Sequence, residues 1–315
     1  MKDDQLISVV IPVYNEEKNV KRLFDELLFS LNGLAKKFEI IFVDDGSTDQ
    51  TMVELKKLRP ARIISFVKNS GQTAAFNAGF QVAKGDIIAT IDGDLENDPR
   101  DIEKLLEKLD EGFDIVSGWR KNRWKDKILT RRIPSWIANR LISFVTGVKL
   151  HDHGCSLKVY RGRVLKGVSL GGDMHRMLAA YIASRGARIV EVAVSYRSRQ
   201  YGKSKYGLSR TFKVLLDIVS FYFFDRYARR PMHFFGGAGF VSLISGGLIF
   251  LWALFLRIFE GTHLNRTPLP VLTAIFVVIG FQFILMGLLA EIIVRSSKDF
   301  RGQEAYKIKE EIDNR

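Results

Sequence analysis

Short apolar segments alternate with longer amphipathic segments through residues 1–117 of the chain. The apolar segments predict strands at 6–12, 39–44, 62–67, 86–91 and 114–117, and the amphipathic segments predict helices at 16–32, 49–58, 71–83 and 99–111. Interior strands of a parallel sheet have continuous apolar runs, because helices cover both faces of the sheet. The alternation therefore predicts βαβ units that form a doubly wound, mostly parallel α/β sheet.

The alternation ends after residue 117, and two amphipathic segments stand out in the next part of the chain. Residues 133–147 place Trp136, Ile137 and Phe144 at helical spacing, and residues 211–224 are rich in Leu, Ile, Val and Phe. Each would form a helix of about 21 Å, which is too short to span a hydrocarbon core of about 30 Å. Arginines lie beside both segments, so we expect helices in the membrane interface. Ordinary helices packed on the sheet are the alternative.

Two long segments near the C-terminus contain no charged side chain. They cover residues 234–256 and 269–290, and at 1.5 Å per residue each spans roughly 33 Å. Their length and composition predict a transmembrane hairpin rather than two buried helices of a soluble core. Basic residues precede the first segment and follow the second: Arg226, Arg229, Arg230, Arg295, Lys298 and Arg301. The positive-inside rule then predicts that both termini are cytoplasmic.

The net charge of +13 is distributed unevenly along the chain. Residues 1–117 hold 15 basic and 22 acidic side chains, whereas residues 118–232 hold 25 basic and 6 acidic side chains. A nucleic-acid-binding protein that is uniformly basic would not have such an uneven distribution of charge, so nucleic acid is not an expected partner. Cys155 is the only cysteine, which excludes an intrachain disulfide framework and fits a reducing compartment.

Asp92-Gly93-Asp94 directly follows the strand predicted at 86–91. Ligands bind beyond the carboxyl ends of the strands in such sheets. Two carboxylates one residue apart at this edge can share a divalent cation that also holds a diphosphate. Acidic turns are common, so the pair alone is weak support for a metal site. Asp45 ends the neighbouring predicted strand, where it is placed to accept hydrogen bonds from a base or a ribose.

The turns after the first and third predicted strands add further candidates at the same edge. Tyr14 is placed to pack against a base, and residues 69–72 form a small-residue turn that a ligand can approach closely. No Gly-x-Gly-x-x-Gly sequence follows the first strand, and the chain has no Walker lysine loop. The interpretations of the chain as a dinucleotide-dependent oxidoreductase or a P-loop NTPase therefore lack their main sequence evidence.

Four motifs in the first half of the chain resemble those of the family 2 inverting glycosyltransferases, which have the GT-A fold. They are PVYNE (12–16), DDGSTDQT (44–51), NSGQ (69–72) and DGDLENDP (92–99). Later motifs narrow the resemblance to polyprenyl-phosphate glycosyltransferases, which include dolichyl-phosphate mannose synthases, undecaprenyl-phosphate glucosyltransferases and aminoarabinose transferases. They are GWR (118–120), DHGCSLKVYR (152–161), DMHR (173–176) and RQYGKSKY (199–206), and two membrane spans follow them. Processive polysaccharide synthases share the first half but carry a Gln-x-x-Arg-Trp motif that this chain lacks.

The resemblance covers nearly the whole chain and implies its architecture. We expect an α/β GT-A fold, Rossmann-like with a mostly parallel sheet, with interfacial amphipathic helices and a C-terminal two-helix transmembrane hairpin. The expected domains are a cytoplasmic catalytic domain at 1–210, a juxtamembrane interfacial helix at 211–232, two transmembrane helices at 233–295 and a cytoplasmic tail at 296–315. The protein would be a multi-pass protein of the plasma (inner) membrane, and relatives suggest a homo-oligomer, namely a tetramer.

The resemblance also implies roles for individual residues. Asp92, Asp94 and Glu96 would hold Mg²⁺ or Mn²⁺, although the family often has Gln at the third position. The catalytic residues would be Asp94, Asp152 and Arg199. The residues in contact with the nucleotide-sugar would be Pro12, Tyr14, Glu16, Asp45, Gly71, Gln72 and Asp92. Those in contact with the acceptor phosphate would be Arg120, Arg132, Arg199, Lys203 and Lys205.

The implied reaction is the inverting transfer of a sugar from a nucleoside-diphosphate sugar, with UDP favoured over GDP, to a polyprenyl phosphate at the cytoplasmic leaflet. The acceptor would be undecaprenyl or dolichyl phosphate, embedded among membrane lipids. A phosphate monoester has a second pKa near 6, so it needs no strong base to become a nucleophile. Three alternatives stay open: a GDP-mannose-dependent dolichyl-phosphate mannose synthase, a transferase that extends a glycan on a sugar hydroxyl, and a non-catalytic nucleotide-sugar binder. The family often has Gly-Phe-Arg at 156–158, which leaves the role of Lys158 open.

Overall fold

The structure is a computed structural model, and it describes two compact units that we treat separately. It covers residues 5–34, 36–121, 123, 132–168, 176–198, 222–223, 227, 230–296 and 308–314. The first unit comprises residues 1–218 together with 304–315, and the second comprises residues 219–303. The last described residues therefore belong to the same unit as the N-terminal sheet.

The described part of the first unit contains one eight-stranded sheet, with the order β7-β5-β6-β4-β1-β2-β3-β8. Its strands are β1 (Ile7–Val13), β2 (Phe38–Asp44), β3 (Ala61–Phe66), β4 (Ile87–Thr90), β5 (Ile115–Trp119), β6 (Lys158–Arg161), β7 (Ile189–Ala193) and β8 (Ile308–Asn314). Parallel ladders join β1 to β2 and β4, β2 to β3, and β5 to β7. Antiparallel ladders join β6 to β4 and β5, and β8 to β3. The predicted mostly parallel sheet is confirmed.

Helices cover both faces of this sheet, as the apolar strands require. They are α1 (Val20–Asn32), α2 (Thr51–Leu55), α3 (Gln72–Val82), α4 (Asp101–Asp110), α5 (Ile133–Thr146), α6 (Gly162–Leu165) and α7 (Leu178–Ala183). One buried apolar cluster contains residues of α1 and α4, and a second cluster contains residues of α3 and α7. The central strands β1 and β4 contribute to both clusters, which explains their continuous apolar runs.

Three strands were not predicted from the sequence. β6 and β7 lie in the part of the chain where the alternation ends, and β8 has the charged sequence IKEEIDN. Arg62 lies 2.6 Å from Glu311 and Lys56 lies 2.8 Å from Glu310, so ion pairs hold this edge strand. The predicted helix at 16–32 begins four residues later, at Val20, because Asn15 adopts a positive φ of 56° and residues 16–19 form a turn.

The second unit contains two long apolar helices, α8 (Pro231–Phe259) and α9 (Leu269–Ser296). Both are long and apolar enough to cross a membrane, by length and composition. They pack closely where their side chains are small, because a Cβ on Gly239 would lie 2.8 Å from the carbonyl oxygen of Gly280. The Ser242 hydroxyl donates a hydrogen bond to the carbonyl oxygen of Phe276 at 2.7 Å. Such small-residue contacts are typical of helix pairs in membranes.

Candidate active site

The loops after β1 and β2 are joined at the carboxyl edge of the sheet. The Asp45 N–H donates to the Val13 carbonyl at 2.9 Å, and the Asn15 N–H donates to the Ser47 hydroxyl at 2.9 Å. The Thr48 N–H in turn donates to the Asn15 side-chain oxygen at 2.8 Å. Asn tolerates the positive φ that this arrangement requires of residue 15. The PVYNE and DDGSTDQT motifs therefore form one rigid surface.

Asp45 connects this surface to the loop after β3. Its buried carboxylate accepts hydrogen bonds from the Ser70 N–H at 2.6 Å and from the Gly71 N–H at 3.0 Å. Gly71 has a φ of 92°, which disfavours residues with a side chain. These hydrogen bonds fix the orientation of the carboxylate at the edge of the sheet. The predicted contact of Asp45 with a nucleotide stays a prediction.

The other residues predicted to contact the nucleotide lie at the same edge. Pro12 is buried within β1, and Tyr14 is half-buried just beyond the end of the strand. The Glu16 carboxylate accepts a hydrogen bond from the Asn19 side chain at 2.6 Å, and the Glu16 N–H donates to the Thr51 hydroxyl at 2.8 Å. Glu16 therefore also holds the start of α1 in place.

Asp92 and Asp94 lie together just after β4. The Gln72 side-chain amide donates to Asp92 Oδ1 at 2.6 Å, and Asp94 Oδ1 accepts the Glu96 N–H at 3.1 Å. Burial, and then the charge of Asp94, raises the pKa of Asp92 to about 6. Gly93 packs closely against β1, because a Cβ there would lie 2.7 Å from Val13 Cγ1 and would displace it. Close approach to β1 therefore holds the two carboxylates at the edge of the sheet.

Glu96 lies close enough to Asp92 for its charge to act on that carboxylate, and it also pairs with two arginines. Its Oε2 atom lies 3.3 Å from Arg123 Nη2 and 3.8 Å from Arg120 Nη1. Within the described residues, no group of three or more His, Cys, Asp or Glu side chains is arranged to hold a metal ion. Mg²⁺ is commonly bound by one or two protein carboxylates together with substrate phosphates. Asp92 and Asp94 fit that pattern, and a cation between them would relieve the repulsion that raises the pKa of Asp92.

Arg120 and Asp152 form a buried ion pair behind the carboxylates. Arg120 Nε donates to Asp152 Oδ2 at 2.7 Å, and Arg120 Nη2 donates to Oδ1 at 3.0 Å. Burial by itself raises the pKa of Asp152, but the charge and hydrogen bonds of Arg120 outweigh it and lower that pKa to about 2. A carboxylate with so low a pKa is a weak base at neutral pH. Asp152 therefore fits a positioning role better than that of a general base.

Lys158 lies in the segment 156–158, where the chain departs from the family pattern, and the structure shows what its side chain contacts. Its ammonium group is buried and donates hydrogen bonds to the carbonyl oxygens of His153, at 3.2 Å, and Cys155. Burial lowers its pKa, although the nearby charge of Asp92 acts in the opposite direction. The Ser156 hydroxyl accepts a hydrogen bond from the Asn97 amide at 2.9 Å. Lys158 therefore fixes the loop that lies behind Asp92.

Trp119 and His151 form an aromatic pair that the sequence did not reveal. Trp119 is the last residue of β5, and its ring stacks on the His151 imidazole with centroids 4.4 Å apart. The Lys121 ammonium lies 5.6 Å from the Trp119 ring, and His151 Nδ1 lies 2.8 Å from the Glu191 carboxylate. The sequence signal that could have indicated this pair is the position of Trp119 and Lys121 on either side of Arg120, just after the strand predicted at 114–117.

The structure describes only two of the five residues that were predicted to contact the acceptor phosphate. Arg132 is exposed immediately before α5. Arg199, Lys203 and Lys205 lie outside the described residues, so their predicted roles stay predictions, as does the catalytic role of Arg199. Arg120, the fifth, is near Asp92 but is paired with Asp152.

Comparison with known proteins places this site within a family. The family model described as "Glycosyl transferase family 2" matches residues 8–168. A dodecaprenyl-phosphate galacturonate synthase from Rhizobium johnstonii is 44% identical over 298 residues, which cover 92% of this chain and 88% of that protein. An undecaprenyl-phosphate 4-deoxy-4-formamido-L-arabinose transferase from Edwardsiella ictaluri is 33% identical over 313 residues, which cover 98% of this chain and 94% of that protein.

Solved structures show the same fold at lower sequence identity. The glucosyl-3-phosphoglycerate synthase of Mycobacterium tuberculosis, crystallised with Mn²⁺, UDP and phosphoglyceric acid, matches with a TM-score of 0.56 and 20% identity over 70% of this chain and 78% of that chain. The mannosyl-3-phosphoglycerate synthase of Rubrobacter xylanophilus matches with a TM-score of 0.55 and 18% identity over 70% of this chain and 74% of that chain. These matches confirm the GT-A fold. With the family match and the two full-length relatives, they show that the chain is a glycosyltransferase and belongs to glycosyl transferase family 2.

Proposed function

We propose that the protein transfers a sugar from a nucleoside-diphosphate sugar, most readily a UDP-sugar, to a polyprenyl phosphate with inversion at the anomeric carbon. The observation that carries this proposal is the Asp92–Asp94 pair at the sheet edge of a unit that also exposes an apolar helix face. Two relatives that match nearly the whole chain support it, because both are named for polyprenyl-phosphate sugars. The phosphoglycerate synthases are only 20% and 18% identical to this chain, so they support the fold alone.

The acceptor phosphate is the nucleophile in this mechanism. It is largely dianionic at neutral pH, so its oxygen attacks the anomeric carbon without a protein base. The bond from that carbon to the diphosphate oxygen breaks on the opposite face, and the nucleoside diphosphate leaves with the electron pair. The low pKa of Asp152 agrees with this scheme, since a transferase that uses a sugar hydroxyl would need a general base.

Residues of the site hold the donor in this scheme. Asp92 and Asp94 would bind Mg²⁺ or Mn²⁺, whose charge neutralises the diphosphate as it departs. Gln72 orients the Asp92 carboxylate through the hydrogen bond at 2.6 Å. Asp45 and Tyr14 line the edge where the nucleotide would lie. The charge of Arg120 acts on Asp92 against the effect of burial, which limits the build-up of negative charge before the donor binds.

Helix α5 is the part of the first unit that we propose lies against lipid. It exposes Ile133, Trp136, Ile137 and Phe144, with Phe144 84% exposed. The Arg140 guanidinium lies 5.6 Å from the Trp136 ring, so a cation accompanies the apolar residues. A helix with apolar and basic residues on one side is suited to a membrane surface that carries anionic lipids. The acceptor would be presented there to Arg132, Arg199, Lys203 and Lys205.

Chain connectivity supports the proposed membrane topology. The second unit begins after residue 218 and ends before residue 304, and β8 of the first unit follows it. If α8 and α9 both cross the membrane, the two ends of the hairpin lie on the side of the catalytic unit. The basic flanking residues favour the cytoplasmic side of the inner membrane. We also propose a homo-oligomer, with a tetramer as the expected state.

A transfer assay tests the proposal directly. The full-length protein in lipid nanodiscs would be incubated with undecaprenyl or dolichyl phosphate, Mg²⁺ or Mn²⁺, and labelled donors. UDP-galacturonic acid comes first because of the 44%-identical relative, followed by UDP-4-deoxy-4-formamido-L-arabinose, UDP-glucose and GDP-mannose. We expect a chloroform-extractable sugar-lipid with one donor. No such product with any donor would overturn the proposal, as would label transferred to a sugar hydroxyl instead.

Asp94→Asn separates catalysis from simple binding. We expect the variant to lose nearly all turnover, because the diphosphate loses its cation. A non-catalytic binder would keep its function after this substitution. Chelation with EDTA, followed by Mg²⁺ or Mn²⁺ in turn, should abolish and then restore turnover and would identify the preferred ion.

A further inference from the structure

The segment that carries Asp152 is held by side chains from two separate elements. Glu191, on β7, accepts the His151 N–H at 2.8 Å through Oε2 and the Asp152 N–H at 3.0 Å through Oε1. Asn139, on α5, donates its amide to the His151 carbonyl at 2.7 Å and accepts the His153 N–H at 3.3 Å. One amide side chain therefore bonds the main chain on both sides of Asp152.

These contacts satisfy both peptide groups that flank Asp152. In the preceding peptide, the His151 carbonyl accepts a hydrogen bond from Asn139, and the Asp152 N–H donates one to Glu191. In the following peptide, the Asp152 carbonyl accepts the Cys155 N–H at 3.4 Å and the N–H bonds Asn139. The Asp152 side chain then accepts two hydrogen bonds from Arg120. The position of the buried guanidinium therefore depends on a main-chain segment that α5 helps to hold.

The same helix presents two different faces. At 3.6 residues per turn, Ile133, Ile137 and Phe144 lie on one side, and these side chains are exposed. Asn139 lies on the other side with Ile142, which is buried. Ser143 is next to this inner face, and its hydroxyl lies 2.9 Å from His153 Nε2. A displacement of the outer face therefore moves the inner groups that hold residues 151–153.

We propose that Asn139 is a positioning residue that couples contact between α5 and a lipid surface to the placement of the Asp152–Arg120 pair. The lipid part and the kinetic test rest on the proposed function, whereas the positioning part does not. Reaction rates are sensitive to displacements of about 1 Å in the groups that surround a reacting centre, which is the scale of a small helix shift. The protein would then be fully active only with α5 seated on a bilayer.

The amide chemistry of Asn139 is specific, because it supplies a donor to one peptide and an acceptor to the other. Asn139→Ala removes both, and Asn139→Asp replaces the donor with a carboxylate that repels the His151 carbonyl. Ser135→Ala is the matched control on the same helix, since among the described contacts Ser135 has no hydrogen bond to residues 151–153. A purely structural role would lower stability without a change in turnover per folded molecule.

Hydrogen exchange provides a readout that does not depend on the reaction. The full-length protein in nanodiscs of phosphatidylglycerol and phosphatidylethanolamine would be compared with the same protein in neutral detergent. We expect the amides of 151–153 to exchange at least about tenfold faster in Asn139→Ala than in wild type, because the His153 N–H loses its acceptor and the segment loses both of its hydrogen bonds to Asn139. We also expect the bilayer to slow their exchange in wild type and in Ser135→Ala, but not in Asn139→Ala.

Kinetics complete the test. We expect kcat of Asn139→Ala to fall by about 10- to 100-fold, with KM for the nucleotide-sugar within about twofold of wild type. Unchanged exchange at 151–153, an equal bilayer effect in wild type and variant, or faster exchange with an unchanged kcat would each overturn the proposal. A wild type that is inactive with every donor would instead overturn the proposed function, and the exchange comparison would still decide whether Asn139 positions Asp152.

Discussion

Asp152→Leu and Arg120→Met each remove one charge from a pair that is buried and joined by hydrogen bonds of 2.7 and 3.0 Å. The Asp152 pKa of about 2 lies roughly two units below its ordinary value, and each unit corresponds to about 1.4 kcal/mol, so the ionised form contributes on the order of 3 kcal/mol. Removal of one partner of a buried pair costs about 3–5 kcal/mol, because the remaining charge stays buried. We therefore expect each single variant to lose about 3 kcal/mol of unfolding free energy.

The double variant Arg120→Met/Asp152→Leu should lose much less. Replacement of both members of a buried pair by apolar side chains of similar size is often neutral. We expect a loss of at most about 1 kcal/mol, and thus a coupling free energy of several kcal/mol in the double-mutant cycle. Turnover should be low in all three variants, since each of them removes the positioned guanidinium or its partner.

Thermal unfolding of the purified proteins at pH 7.5 is the assay. A loss of 3 kcal/mol should lower the midpoint by about 6–12 °C for a unit of this size, whereas the double variant should unfold close to wild type. Arg100→Met is the matched control, because Arg100 also bonds a carboxylate, that of Asp98 at 2.6 Å, but its own side chain is 67% exposed. Its unfolding midpoint should stay close to that of wild type, because an exposed ion pair contributes little to stability. A double variant that loses the sum of the two single losses would refute the reasoning.

Three further perturbations follow from the contacts around the site. Gly93→Ala should lower kcat at least about tenfold, since the added Cβ would lie 2.7 Å from Val13 Cγ1 and displace the flanking carboxylates; an unchanged kcat in steady-state assays would contradict the fit. Lys158→Met should lower kcat by a similar factor, because two loop carbonyls lose a charged donor, whereas Lys158→Arg should keep part of the activity. Equal activity of the Met and Arg variants would count against this role. Burial lowers the pKa of His153 to about 4, below its ordinary value near 6.5. As the pH falls, the unfolded chain therefore binds the proton before the folded chain does. The free energy of unfolding should then fall by up to roughly 3 kcal/mol between about pH 6.5 and about pH 4. Unfolding midpoints measured across this range should fall less for His153→Gln, and parallel curves would exclude His153 as the cause.

Local patterns in the sequence were sufficient for the first half of the fold. The strands β1 to β5 and the helices between them follow from apolar runs and helical periodicity, which neighbouring residues alone produce. β6 and β7 are short and follow no regular alternation. β8 was missed because its glutamates pair with Lys56 and Arg62, roughly 250 positions away in the chain, so nothing in its own composition marks a strand.

The candidate site shows the same division between local and distant information. The turn at Asp92-Gly93-Asp94 could be placed at the end of a buried strand from residues 86–91 alone. The resemblance grouped Glu96 with it as a metal ligand, which stays a prediction, and only the structure shows that Glu96 also pairs with Arg120 and Arg123. Charges separated along the chain compete for partners only after folding, so sequence spacing could not show which carboxylate faces a cation.

By itself, the sequence determined the α/β class, the two long apolar helices and the acidic turn, because each depends on residues that are close in the chain. Tertiary structure alone decided that Asp152 pairs with Arg120, and that Glu191 and Asn139 hold the main chain around Asp152. Those residues come from four different parts of the chain, and only the packing of the sheet and α5 brings them within hydrogen-bonding distance. A hydrogen bond requires about 3 Å between its atoms, and the fold sets that distance wherever the partners are far apart in the chain.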